Sequence, residues 1–114
     1  MKIWIEFITI YNIELRTTMI DIHIKSSDPE KAVPLLKDAI ERERKLILHS
    51  ISITKTKIDK LASSLEVNIP ELLQGKVTHT PENEEDLLEL EGELAILQHL
   101  EEELSSLEEL QVCT

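Results

Sequence analysis

A heptad repeat can be written through the chain from Pro29 to Glu66 without a break. Val33, Ile40, Ile47, Thr54 and Leu61 fall on one seam line, and Lys37, Arg44, Ile51, Ile58 and Leu65 fall on the other. A sustained seven-residue repeat suits a long helix that packs along a single stripe and does not suit a strand. At ~1.5 Å per residue such a helix is on the order of 55 Å long, closer to a coiled-coil arm than to an ordinary globular helix. The seam is polar early and apolar late, so the later turns should carry the packing. Ser26-Ser27-Asp28-Pro29-Glu30 is the expected start, with Asp28 capping free N–H groups and Pro29 in the first position. Glu30 then faces the positive end of the helix dipole. Pro34 is expected to bend the early helix slightly, and the β-branched run Ile51-Ser52-Ile53-Thr54 weakens helix propensity locally.

The repeat ends in the punctuated stretch Asn68-Ile69-Pro70-Glu71-Leu72-Leu73-Gln74-Gly75. Asn68-Ile69-Pro70 is expected to stop the first helix. Residues 70–74 can make one short helical turn, with Leu72 and Leu73 closing the end of a hairpin, and Gly75 releases the chain. Thr80-Pro81 then reads as a second cap and first position, followed by the acids Glu82, Glu84, Glu85 and Asp86. Leu87, Leu90, Leu94, Leu97, Leu104 and Leu107, widened by Leu100, supply a stripe to about residue 110. Two helices, about 29–66 and 81–110, joined in this way predict an antiparallel hairpin.

Upstream, Ile3, Ile5, Phe7, Tyr11, Ile13 and Leu15 share one parity, and Ile20-Asp21-Ile22-His23-Ile24 alternates cleanly. Period-2 alternation predicts a half-buried strand or β-hairpin over residues 1–25. From Met19 onward the chain already reads as a full domain, so residues 1–18 can also be read as an extension ahead of the start. The expected fold is therefore mainly α: a long helical hairpin over 26–114 preceded by an N-terminal β element.

Charge is divided as sharply as structure. All twelve Lys and Arg residues lie in 1–76 beside eleven acids, whereas 77–114 holds twelve acids and no Lys or Arg. An acidic half argues against phosphate-backbone binding as the main activity, which rests on Lys and Arg, and favours a basic partner or plain solubility. Residues 41–60, with six basic side chains against three acids, are matched to the acidic second helix. Nucleic-acid binding would need Arg42, Arg44, Lys45, Lys55, Lys57 and Lys60 to stay exposed. No run approaches the ~20 apolar residues that span a bilayer. Glu6 interrupts the Ile-rich start with no small-residue cleavage site after it, so no signal peptide is expected. The lone Cys113 can form no intramolecular disulfide, which suits a reducing, cytoplasmic location.

A second apolar face reaches beyond architecture. Ala39, Leu46 and Ile53 stand one heptad apart on the side of the first helix away from its seam, and Leu88 and Ile96, with Gly92 between them, do the same on the second. Two paired helices need one stripe each. Either the N-terminal strands or a second copy cover the surplus face, or it is a site for another protein. The candidate partner-binding residues are Leu46, Ile53, Leu88, Gly92 and Ile96, with Glu89, Glu93 and Glu103 steering a basic partner. Gly92 costs about 1 kcal/mol relative to Ala in a helix interior, which points to a close backbone approach there.

No catalytic constellation is visible. His23, His49, His79 and His99 are dispersed without metal-ligand spacing. The runs Glu84-Glu85-Asp86 and Glu101-Glu102-Glu103 read as solvated surface, since acid–base work needs a perturbed carboxyl in a cleft. Cys113 has no His partner nearby in sequence, and there is no phosphate-cradling glycine loop. No enzyme, cofactor or metal is expected.

Lys60–Gly75 is similar to the closing helix and turn of phage-repressor-type DNA-binding domains, but the upstream recognition portion is absent. A longer likeness runs from Met19 to Leu110. Its residues are Asn68-Ile69-Pro70-Glu71-Leu72-Leu73, Gly75, Glu84-Glu85-Asp86-Leu87 and Glu91-Gly92-Glu93. This order resembles small prokaryotic helical-hairpin proteins that act as antitoxin-like partners of small toxin-like proteins. The aromatics associated with that pattern are replaced here by Leu65, Leu72 or Leu73, and Leu90. The resemblance implies a non-catalytic interaction module that binds a basic protein, alone or as a homodimer. The competing expectation is a self-associating coiled-coil protein or a prefoldin-like chaperone subunit.

Overall fold

The computed structural model describes residues 19–112. Three helices occur among them: α1 (Pro29–Leu65), the short α2 (Ile69–Leu73) and α3 (Glu84–Glu108). α1 and α3 pack against each other as the two arms of a hairpin, and α2 lies in the connector at its turn end. The mainly helical hairpin expected from the heptads is thus the architecture observed. The molecule is only 16 Å in its smallest dimension, little more than one helix with its side chains (about 10–12 Å). It is a single layer.

The core lies at the turn end. Leu87 and Leu90 are completely buried, and Ile58 and Leu72 nearly so. Leu61, Ala62, Leu65, Val67, Ile69, Val77, Leu94 and Leu97 pack around them. Farther along α1, Ile47, Ile51 and Thr54 are buried on the same seam. The apolar late half of the heptad therefore makes the contact, while Lys37 on the early half is exposed. Of the two leucines expected to close the turn, only Leu72 does so; Leu73 is 69% exposed. A five-residue helix offers one inward position per turn, and Leu72 holds it.

The helix ends explain the boundaries. Pro29 occupies the start of α1, and the Asp28 carbonyl accepts the N–H groups of Lys31 and Ala32. The Asp28 side chain makes no capping bond; it sits 3.9 Å from the Lys31 ammonium. α1 stops earlier than Asn68-Ile69-Pro70. Glu66 turns into the left-handed region at φ 54°, and the N–H groups of Glu66 and Val67 donate to the carbonyls of Ser63 and Ala62. That is a Schellman ending with glutamate where glycine is usual. Asn68 serves the next helix instead, its Oδ1 accepting the Glu71 N–H at 3.1 Å. α2 ends on the same motif with the usual residue, Gly75 at φ 74°, and Lys76 N–H returns to the Glu71 carbonyl.

Thr80 does cap, but reciprocally with Asn83. Thr80 Oγ1 accepts the Asn83 N–H, and Asn83 Oδ1 accepts the Thr80 N–H at 2.7 Å. Pro81–Asn83 form a turn, and regular helix begins at Glu84, three residues later than expected.

The N-terminal β expectation is corrected as far as it can be followed. No strand occurs among the described residues, and Ile20–Ile24 carry no regular secondary structure, with Ile20, Ile22 and Ile24 exposed by 67–85%. Alternation alone cannot hold a strand, because its stability comes from a neighbouring ladder. The expected strand over residues 3–15, like Cys113, lies outside the described residues.

Candidate protein-interaction surface

One ion pair crosses between the arms among the described residues: Lys57 Nζ lies 3.8 Å from Glu93 Oε1. It fixes which sides of α1 and α3 share a face of the layer. Ile53 is one turn before Lys57 and Leu46 one heptad earlier, while Ile96 is one turn after Glu93. Leu46, Ile53 and Ile96 therefore belong to the face marked by this bridge. They are 61%, 45% and 49% exposed, respectively. Leu35, a heptad and a turn before Leu46, extends the stripe and is also exposed. The heptad line through Ala39, Leu46 and Ile53 does not include Leu35, although a helical projection at about 100° per residue places it on the same side.

Leu88 is exposed too, but its spacing of eight residues from Ile96 turns it about 80° around α3. The α3 portion of the second face is thus broader than a single line. Gly92 lies between them, exposed in mid-helix, and a Cβ added there would meet no atom within 4 Å. The close approach expected at this glycine is made by no part of the hairpin described.

The acids fall into two kinds. Glu89 is exposed. Glu93 is largely covered and engaged with Lys57, so it acts first inside the hairpin. Glu103 holds the exposed His99 Nε2 at 3.1 Å along the same helix. Of the basic side chains on α1, Arg42, Lys45, Lys55 and Lys60 are exposed, and they point in several directions around the helix. Arg44 is committed to Glu41 through two bonds, Nε to Oε2 at 3.0 Å and the second guanidinium nitrogen to Oε1 at 2.8 Å. The Arg44 hydrogen bonds, helped by its charge, hold the Glu41 carboxyl below the usual glutamate range.

Towards the far end of the arms, two open grooves run between α1 and α3. One, of about 450 Å³, is lined by Leu48, Ile51, Lys55, Glu101, Leu104 and Ser105, among others. The second, of about 500 Å³, lies between Glu43 and Ile47 on α1 and His99, Glu103, Leu107 and Leu110 around α3. Neither brings together a nucleophile, a base and an oxyanion donor. Among the described residues no three His, Cys, Asp or Glu side chains are grouped so as to hold a metal. No helix in the described part is long and apolar enough to cross a membrane.

What the arrangement offers chemically is contact area with charge at its margins: aliphatic side chains in a line, a bare backbone at Gly92, and carboxylates beside them. Searches against family models, curated proteins and solved structures find no significant match to this chain.

Proposed function

We propose that this chain is a non-catalytic protein-interaction module, antitoxin-like in its mode of action, that binds a basic protein through α3 and the second apolar face. The observation carrying this reading is the line of exposed aliphatic residues at Leu46, Ile53 and Ile96, with the exposed Leu88 about 80° farther around α3, beside an arm with ten acids and no Lys or Arg. Isolated exposed leucines are ordinary, but several aligned on one side of a thin layer favour an interface. In this reading Glu89 and Glu103 accelerate encounter, the aliphatic residues supply desolvated contact, and Gly92 admits the partner's main chain.

The test is co-expression with the product of the adjacent gene, when that product is small and basic. Recovery of a stable complex that protects growth, lost on Leu46→Asp or Ile96→Asp but kept on Leu73→Asp, is the expected result. A complex indifferent to substitutions on this face would sink the proposed mechanism.

A further inference from the structure

The exposed face is complementary to itself. On α1, Arg42 stands one turn before Leu46, and Lys60 stands one heptad after Ile53; on α3, Glu89 and Glu103 stand a heptad to either side of Ile96. All four charged residues are exposed. We propose that in the free protein this face is covered by a second copy of the chain, α1 of each copy lying antiparallel on α3 of the other in a four-helix bundle.

Two observations select this occupant and this arrangement. First, among the described residues only two side chains are completely buried in a layer 16 Å thick, a small core, and a second layer is the simplest way to bury more. Second, the charge pattern distinguishes the two ways of stacking two hairpins face to face by two-fold symmetry. An axis across the helices sets basic α1 on α1 and acidic α3 on α3. An axis parallel to the helices sets α1 on α3 and leaves every residue at its own height. The Lys57–Glu93 bridge supplies that height. Ile53 of one copy then meets Ile96 of the other and Lys60 reaches Glu89. Arg42 stands about five residues, ~7.5 Å along the axis, beyond Glu103, and bridges that distance only with its long side chain and with the Glu103 carboxylate turned from His99. Leu88, rotated away from Ile96, stays outside the contact. This inference does not depend on the antitoxin-like reading; a basic partner would compete with α1 of the second copy for the same acids.

The test is light scattering of the full chain over a concentration series. The expected mass is about twice 13.1 kDa. Arg42→Glu with Lys60→Glu, or Glu89→Lys with Glu103→Lys, should each weaken the dimer at least tenfold, because attraction becomes repulsion at symmetry-doubled contacts. The four substitutions together should restore it. Circular dichroism of each variant should keep its helicity, since all four positions are exposed. A chain that is monomeric at every concentration, or a dimer that ignores both single-helix reversals, would overturn the proposal. So would a failure of the fourfold variant to recover. A dimer that captures no basic partner removes only the antitoxin-like reading, and a partner-binding monomer removes only the dimer.

Discussion

Adjacent leucines at the start of α3 should behave as if they came from different proteins. Leu87 is completely buried and Leu88 is 58% exposed. Replacing Leu87 by Ala removes three buried carbons, about 2.4 kcal/mol at ~0.8 kcal/mol each. A residual cavity raises such losses to roughly 2.7–5 kcal/mol in well-packed proteins. Here the layer is thin enough for α2 and α1 to settle inward, so the lower end, about 3 kcal/mol, is expected. Leu88→Ala leaves no cavity and forfeits at most about two-fifths of the transfer term, ~1 kcal/mol, and helix propensity slightly favours Ala. Its net cost should be near 0.5 kcal/mol. The difference, about 2.5 kcal/mol, corresponds to roughly 60-fold in the folding equilibrium, well above the error of a urea titration followed by circular dichroism at matched protein concentration. Equal losses, or a greater loss for Leu88→Ala, would refute the reasoning: Leu88 would then be buried in the free protein, and its part of the exposed α3 surface would not exist.

Three further outcomes follow from the same geometry. Gly92→Ala should raise stability by about 0.8–1 kcal/mol in a thermal melt, since the new methyl meets nothing and the helix gains propensity; on the proposed function it should also weaken partner binding. Glu66→Gly should stabilise by about 0.5–1 kcal/mol in the same assay, because a left-handed residue with a Cβ is strained, and added freedom in the unfolded chain offsets part of the gain. For Glu41, held below the usual glutamate range by Arg44, the pair contributes above the ordinary glutamate value and its small contribution is lost as pH falls through the lowered one. Arg44→Ala should therefore raise the Glu41 midpoint in a carboxyl NMR titration, and an unchanged midpoint would contradict the pairing.

The long arms were legible because their signal is repeated: Ile47, Ile51, Thr54 and Ile58 occupy the positions the heptad assigns them, and all are buried. Boundaries were less legible because each depends on a single residue's backbone. Nothing in composition marks Glu66 for the left-handed region, whereas Gly75 announces it. The alternation at Ile20–Ile24 predicts a strand because period-2 patterning reports a preference, but a strand also needs a neighbour to pair with, and none occurs among the described residues. The candidate surface was legible as a stripe at Leu46 and Ile53. That Ile96 shares its side of the layer and Leu88 does not could be read only from where Lys57 meets Glu93.

Burial is also distributed unequally along the hairpin. Leu72, Leu87 and Leu90 are sealed at the turn end, and the grooves beside Leu104 and Leu107 lie open towards the other. Since local opening follows the apolar contacts that must break, amide hydrogens around Ile58–Leu61 and Leu90–Leu94 should exchange last. Protection should then decline steadily towards Leu107. The hairpin would open in the manner of tweezers hinged at α2, so a binding partner could meet arms that close on it, at an energetic cost set by how far from the hinge it grips.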